Sequence, residues 1–114
     1  MTYISDHGEN LFDDERNYSQ HAQPVPSKYI AHIPFIVWYS DKLKSNFPEK
    51  IANMNKNIHS KISSENLIHT LSSLSGIKYN GQDSTKDLTT KYYKDNLQLI
   101  LGANNKVYTT SSLK

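Results

Sequence analysis

The longest apolar stretch runs Pro34-Phe35-Ile36-Val37-Trp38-Tyr39-Ser40. It is nearly continuous rather than alternating, which predicts a strand buried on both faces. Pro34 stands at its first position, where a missing N–H is tolerated. Residues 2–5 carry aromatic and β-branched side chains and predict a second, short strand. Between them, residues 10–33 are polar and turn-rich, with Pro24 and Pro26. They predict an irregular loop with one helical turn near Phe12–Asn17, and a loop of this length is often functional.

Downstream the pattern turns helical. Ser40 or Asp41 is placed to cap a short helix through Leu43 and Lys44. Pro48 to about Asn57 predicts a helix with Pro near its first position and only Ile51, Met54 and Ala52 as apolar anchors. The strongest helical period starts after Ser63-Ser64, with Leu67, Ile68, Leu71 and Leu74, and stops at Gly76. Residues 78–96 are polar, and Leu88 is their isolated anchor. Leu97–Leu101 predicts a strand, and Val107–Thr109 returns as a hairpin after a turn.

Composition narrows the classes. The 114 residues suit one domain or a piece of one. Net charge is +2 and the basic residues are scattered, which speaks against a nucleic-acid partner. The absence of cysteine removes disulfides, thiolate nucleophiles and Cys-type zinc sites. No run of about 18 apolar residues exists, and no basic stretch precedes an apolar one at the start. The chain itself is therefore expected to be soluble, without a signal peptide or membrane span. Met1–Ser5 begins in mid-strand with reactive residues close behind, the pattern expected of a fragment of a longer domain.

The candidate chemistry lies in Ser5-Asp6-His7-Gly8-Glu9. An Asp carboxylate and a His imidazole are both ligands for zinc or manganese. Neighbours on a strand face opposite ways, so both reach one ion only if the chain turns, and Gly8 would supply that turn. A turn in which Asp6 accepts backbone N–H bonds and His7 is solvated fits these residues too.

A longer comparison favours the site. Tyr3–Leu11 resembles the "SDHGE" segment of the alkaline-phosphatase-like superfamily. Within it the segment looks like the phosphoethanolamine and phosphoglycerol transferases with sulfatase domains. A second resemblance follows in His21, Pro24, Pro26 and then His32-Ile33-Pro34 through Ser40. A third, Ser64-Glu65-Asn66-Leu67 to Gly76-Ile77, is similar to a late helix of these enzymes. The likeness covers residues 2 to about 77, with Asp83-Ser84 as a faint continuation.

The resemblance implies an α/β fold: the C-terminal part of an alkaline-phosphatase-like α/β/α sandwich, with few strands and short helices over 1–114. It implies Asp6 and His7 as metal ligands, with zinc expected and manganese, magnesium or calcium as alternatives. His21 would contact the transferred phosphoryl group or act as an acid, and Glu9 would orient His7. His32 is expected to be structural, and no site role is expected for His59 or His69. The implied parent lies in the inner membrane with its catalytic domain in the periplasm. It would move a group from a phospholipid donor to a glycolipid acceptor such as lipopolysaccharide through a phospho-threonine. The threonines at 2, 70, 85, 89, 90, 109 and 110 lack the nucleophile's context. The fragment alone is thus expected to be inactive, to bind metal weakly or not at all, and to form homo-oligomers through exposed strand edges. A sulfatase or phosphodiesterase of the same superfamily, or a small non-catalytic interaction protein, are the alternative readings.

Overall fold

The computed structural model describes residues 1–113. The chain divides into two compact units, residues 1–38 with those from 98 onward, and residues 39–97. Its strands form three separate two-stranded antiparallel ribbons among the described residues.

In the first unit, β1 (Thr2–Ile4) pairs with β4 (Phe35–Val37), with Tyr3 opposite Ile36. The ribbon extends one pair further, because Met1 and Trp38 exchange both backbone bonds at 2.8 Å. Burial of this strand on both faces was expected, and the structure corrects that. Phe35 and Val37 are half-buried, whereas Ile36 and Trp38 are exposed. The strand has β1 as its only sheet partner among the described residues.

The segment expected to be an irregular loop with a helical turn holds instead a hairpin of β2 (Asn10–Leu11) and β3 (Ser19–Gln20). Side chains close its tip. The fully buried Asn10 accepts the Asp13 N–H at 2.9 Å and donates to the Asp14 carboxylate at 2.7 Å. Arg16 grips the same carboxylate at 2.7 and 3.1 Å. These bonds hold Phe12, at φ 66°, and Asn17, at φ 56°, in left-handed backbone that a Phe rarely adopts. The hairpin leads to a short helix, α1 (Lys28–Ala31), capped by the buried Ser27 and carrying the buried Ile30. β5 (Leu99–Leu101) and β6 (Val107–Thr109) complete this unit as the expected hairpin, followed by a 3-10 turn at Thr110–Ser112.

The second unit is helical. α2 (Asp41–Asn46) starts at Ser40, whose hydroxyl accepts the Leu43 N–H at 3.2 Å. α3 (Pro48–Lys56) follows, with Pro in its first turn and Ile51 fully buried. α4 (Asn66–Ser75) ends at Gly76, which adopts φ 71° as the left-handed cap. Its packing differs from the expected apolar stripe. Asn66, His69, Thr70 and Ser72 are its buried residues, and Ile68 is exposed. The reason is its partner, a stretch of irregular backbone over residues 83–90 that needs hydrogen bonds more than apolar contact. Asn66 donates to the Lys86 carbonyl at 2.9 Å, Thr70 accepts the Leu88 N–H at 3.2 Å, and Asn53 and Asn57 of the α3 side donate to the Thr89 and Leu88 carbonyls at 3.0 Å. Leu88 is buried as the anchor its isolation suggested.

Candidate metal centre

β1 delivers the chain to Ser5, whose hydroxyl donates to the His7 carbonyl at 2.7 Å. Gly8 then passes tightly against α1: its N–H donates to the Ile30 carbonyl at 2.9 Å. A Cβ at Gly8 would stand 2.2 Å from the Tyr29 carbonyl oxygen. Its φ is not positive. Glycine is required here for close approach rather than for the turn geometry that the sequence suggested.

The β2–β3 hairpin does the rest. Asn10 pairs with Gln20, so Glu9 and His21 are the next positions outward on the same two strands. The Glu9 carboxylate sits 2.5 Å from His21 Nδ1. The His21 ring stacks on the His7 ring, with centroids 4.0 Å apart and planes 25° from parallel. Ligand atoms of His7, Glu9 and His21 all lie within 4.8 Å of one another.

The hydrogen bonds settle which nitrogen faces what. A carboxylate only accepts, so His21 Nδ1 donates to Glu9 and Nε2 is the ring nitrogen left for another partner. His7 Nδ1 lies 2.9 Å from the Gly8 carbonyl, which likewise only accepts, so Nδ1 is the donor there and Nε2 is the ring's other nitrogen. Two stacked imidazoles with an adjacent carboxylate form a donor set that suits zinc better than the all-oxygen preference of magnesium or calcium.

Asp6 stands beside this group rather than within it. Its side chain is 88% exposed, and one carboxylate oxygen is 3.7 Å from His7 Nε2. The backbone N–H groups of Asp6 and His7, and then the His7 ring, hold its carboxyl below the usual range. Glu9 was expected to orient His7; its bond in the structure is to His21. His32 is exposed and lines a cleft of about 430 Å3 with Glu9, Lys28 and Tyr29, and its backbone N–H closes α1 on the Lys28 carbonyl at 2.9 Å. His59 is exposed in the second unit. His69 is buried there and accepts the Asp83 N–H at 3.1 Å and lies 2.8 Å from the Tyr79 hydroxyl.

The Ser5–Glu9 segment and the stacked His7–His21 pair open a stretch of the chain that matches a known family. The sulfatase family profile matches residues 1–77, and the chain belongs to that family. Among curated proteins it is 32% identical over 101 residues to phosphoethanolamine transferase CptA of Salmonella typhimurium, covering 88% of this chain and 17% of that protein. It is 31% identical, with the same coverage, to phosphoethanolamine transferase EptC of Escherichia coli. The crystal structure of the C-terminal periplasmic domain of EcEptC from Escherichia coli superposes with a TM-score of 0.84 at 28% identity, covering 98% of this chain and 32% of that one. The same domain solved as a complex with Zn gives a TM-score of 0.83 at 28% identity, covering 98% of this chain and 31% of that one. The chain thus spans less than a fifth of the length of the curated relatives it matches. No helix of the described residues is long and apolar enough to cross a membrane.

Proposed function

We propose that this chain is the C-terminal portion of the catalytic domain of a phosphoethanolamine transferase. The whole enzyme would be anchored in the inner membrane, face the periplasm, and pass phosphoethanolamine from a phospholipid to lipopolysaccharide or another envelope glycolipid. The observation that carries the reading is the convergence of His7, Glu9 and His21 within 4.8 Å, at the start of a sulfatase-family segment. The names of the relatives supply the transferred group, and the zinc complex of a neighbour favours zinc as the ion.

In this reading His7 Nε2 holds the metal together with Asp6. Glu9 fixes the ring orientation of His21, as carboxylate partners of ligating histidines do. His21 is then placed to ligate the same ion, to contact a phosphoryl oxygen or, once protonated at Nε2, to give that proton to a leaving oxygen. A bound zinc ion would supply Lewis-acid stabilisation of phosphoryl charge and would activate a hydroxyl nucleophile. That nucleophile, a threonine in this reading, would come from a different segment of the domain, so the chain alone has no transferase activity.

Titration calorimetry with zinc, followed in parallel by the histidine C–H proton signals, tests the site. Three donors, with His7 half-buried and Glu9 and His21 exposed, fall short of a closed four-ligand site, which is worth about 10–16 kcal/mol. We expect one-to-one binding with a Kd at or above about 1 μM, weakened at least tenfold by His7→Ala and by His21→Ala. Nanomolar binding abolished by His7→Ala would show a complete site in this chain. Unmoved His7 and His21 signals at millimolar zinc would remove the metal reading.

A further inference from the structure

One cleft of the first unit borders the metal centre without being part of its donor set. It encloses about 430 Å3, inside the roughly 300–1,000 Å3 of small-molecule sites. Such sites are mostly apolar. Here every lining side chain except Ala31 carries a hydrogen-bonding group. Lys28 opens α1 and His32 caps it. Residues four apart on a helix share a face, with Cβ atoms about 5–6 Å apart, so both line the same cleft. The Lys28 ammonium has no carboxylate partner among the described residues, and it lies 5.2 Å from the centre of the Tyr29 ring. His32 bonds through its backbone N–H to the Lys28 carbonyl, and its exposed ring bonds to no other described residue.

The remaining lining has a different character. Glu9 lines the cleft, and its carboxylate also accepts from His21 Nδ1 at 2.5 Å. The cleft and the donor set of His7, Glu9 and His21 therefore share a residue. Gln98 and Thr110 flank the β5–β6 hairpin and lie against each other. The Thr110 N–H donates to the Gln98 carbonyl at 3.0 Å, and the Thr110 hydroxyl donates to Gln98 Oε1 at 3.1 Å, which holds the amide in one orientation.

These groups sort the ligand. Lys28 and His32 offer N–H donors with no carboxylate of their own, the arrangement that holds an oxyanion. Glu9 repels an anion but accepts from hydroxyls. The Tyr29 ring and the Lys28 methylenes add apolar surface of the kind that packs against the C–H face of a sugar. A bare oxyanion would use Lys28 and His32 alone, and an apolar ligand would leave polar groups unpaired. We propose that this cleft is a subsite for a phosphorylated sugar, with the phosphate on Lys28 and His32 and the hydroxyls on Glu9, Gln98 and Thr110. Its place in catalysis rests on the transferase reading, in which it seats the sugar of the acceptor glycolipid beside the metal centre. Binding itself needs no metal.

The probes are glucose-6-phosphate, glucose and inorganic phosphate. Each is titrated into the metal-free chain and followed by histidine C–H and backbone amide signals. The sugar phosphate should move the His32 ring and the amides of residues 28–32, with a Kd of about 1 mM. Glucose and inorganic phosphate should each bind at least tenfold more weakly. Lys28→Gln and His32→Gln change exposed side chains, so the circular dichroism and thermal midpoint should hold. Each should weaken binding of the sugar phosphate at least tenfold, and Lys28→Arg should retain it. Inorganic phosphate binding as tightly as the sugar phosphate would overturn the proposal. So would shifts confined to His7 and His21, or shifts that survive both glutamine substitutions. Zinc titration of the same chain reports separately. Sugar-phosphate binding without zinc binding would sink the metal reading and keep the cleft, and zinc binding without sugar-phosphate binding would do the reverse.

Discussion

Gly8→Ala is the substitution that ties the fold of the first unit to its metal centre. A methyl group at residue 8 would meet the Tyr29 carbonyl oxygen at 2.2 Å, the Tyr29 carbonyl carbon at 3.2 Å and the Ile30 oxygen at 3.3 Å. All three obstacles are backbone, so no side chain can swing aside. The strand end and α1 must separate by roughly an ångström to restore ordinary contact. Such overpacking costs about 1–3 kcal/mol. The separation also stretches the 2.9 Å bond from the Gly8 N–H to the Ile30 carbonyl, worth about 0.5–1.5 kcal/mol net. Together the loss is roughly 2–4 kcal/mol, or a fall in Tm of about 8–16 °C at ~4 °C per kcal/mol.

The consequence for the site follows from the position of Gly8 between His7 and Glu9. Moving residue 8 away from α1 displaces His7, whose ring is pinned by the Gly8 carbonyl at 2.9 Å, relative to His21. Urea unfolding read by circular dichroism gives the stability term. Zinc titration at a temperature where the variant is folded gives the site term, and we expect at least a tenfold loss of affinity. Gly81→Ala is the contrasting control. Nothing lies within 4 Å of its Cβ, and its cost comes only from a φ of 91°, about 1 kcal/mol with no effect on zinc. If Gly8→Ala unfolds within 0.5 kcal/mol of the parent and binds zinc equally well, the close approach does not position the site.

Ile51 is 1% exposed on α3, and Ile51→Ala should cost about 2–5 kcal/mol in urea unfolding. The Arg16 guanidinium bonded to Asp14 holds its carboxyl at about 2, below the usual 3.8. A lowered pKa contributes stability that is present above 3.8 and lost as pH falls toward 2. Urea midpoints between pH 5 and pH 2 should therefore fall less steeply in Asp14→Asn than in the parent. Burial, followed by the nearby charges of Asp95 and Glu65, pushes the Tyr93 phenol up to about 12. Its hydroxyl donates to the Lys61 carbonyl at 2.6 Å. A raised pKa contributes stability that is complete below 10 and lost as pH rises toward 12. Tyr93→Phe should remove that alkaline loss, read by thermal scans between pH 9 and pH 12.

The parts of the fold legible in the sequence are those whose signal is local. Ser40 capping α2, Pro48 opening α3, Gly76 closing α4 and the β5–β6 hairpin each rest on residues within one turn of the feature. The β2–β3 hairpin was not legible for a physical reason. Its tip holds Phe12 and Asn17 in left-handed backbone through a web of Asn10, Asp13, Asp14 and Arg16 bonds, and neither Asn-Gly nor Asp-Gly marks the turn. The same omission hid the partner of Glu9. Once the register is known, Glu9 and His21 must face each other, whereas along the chain they are only two polar residues twelve apart. The buried polar face of α4 was illegible because an apolar period assumes an apolar partner, and its partner is irregular backbone. The apolar β4 is the opposite case. There the pattern reads for burial on two faces, and the structure buries one, leaving Ile36 and Trp38 exposed.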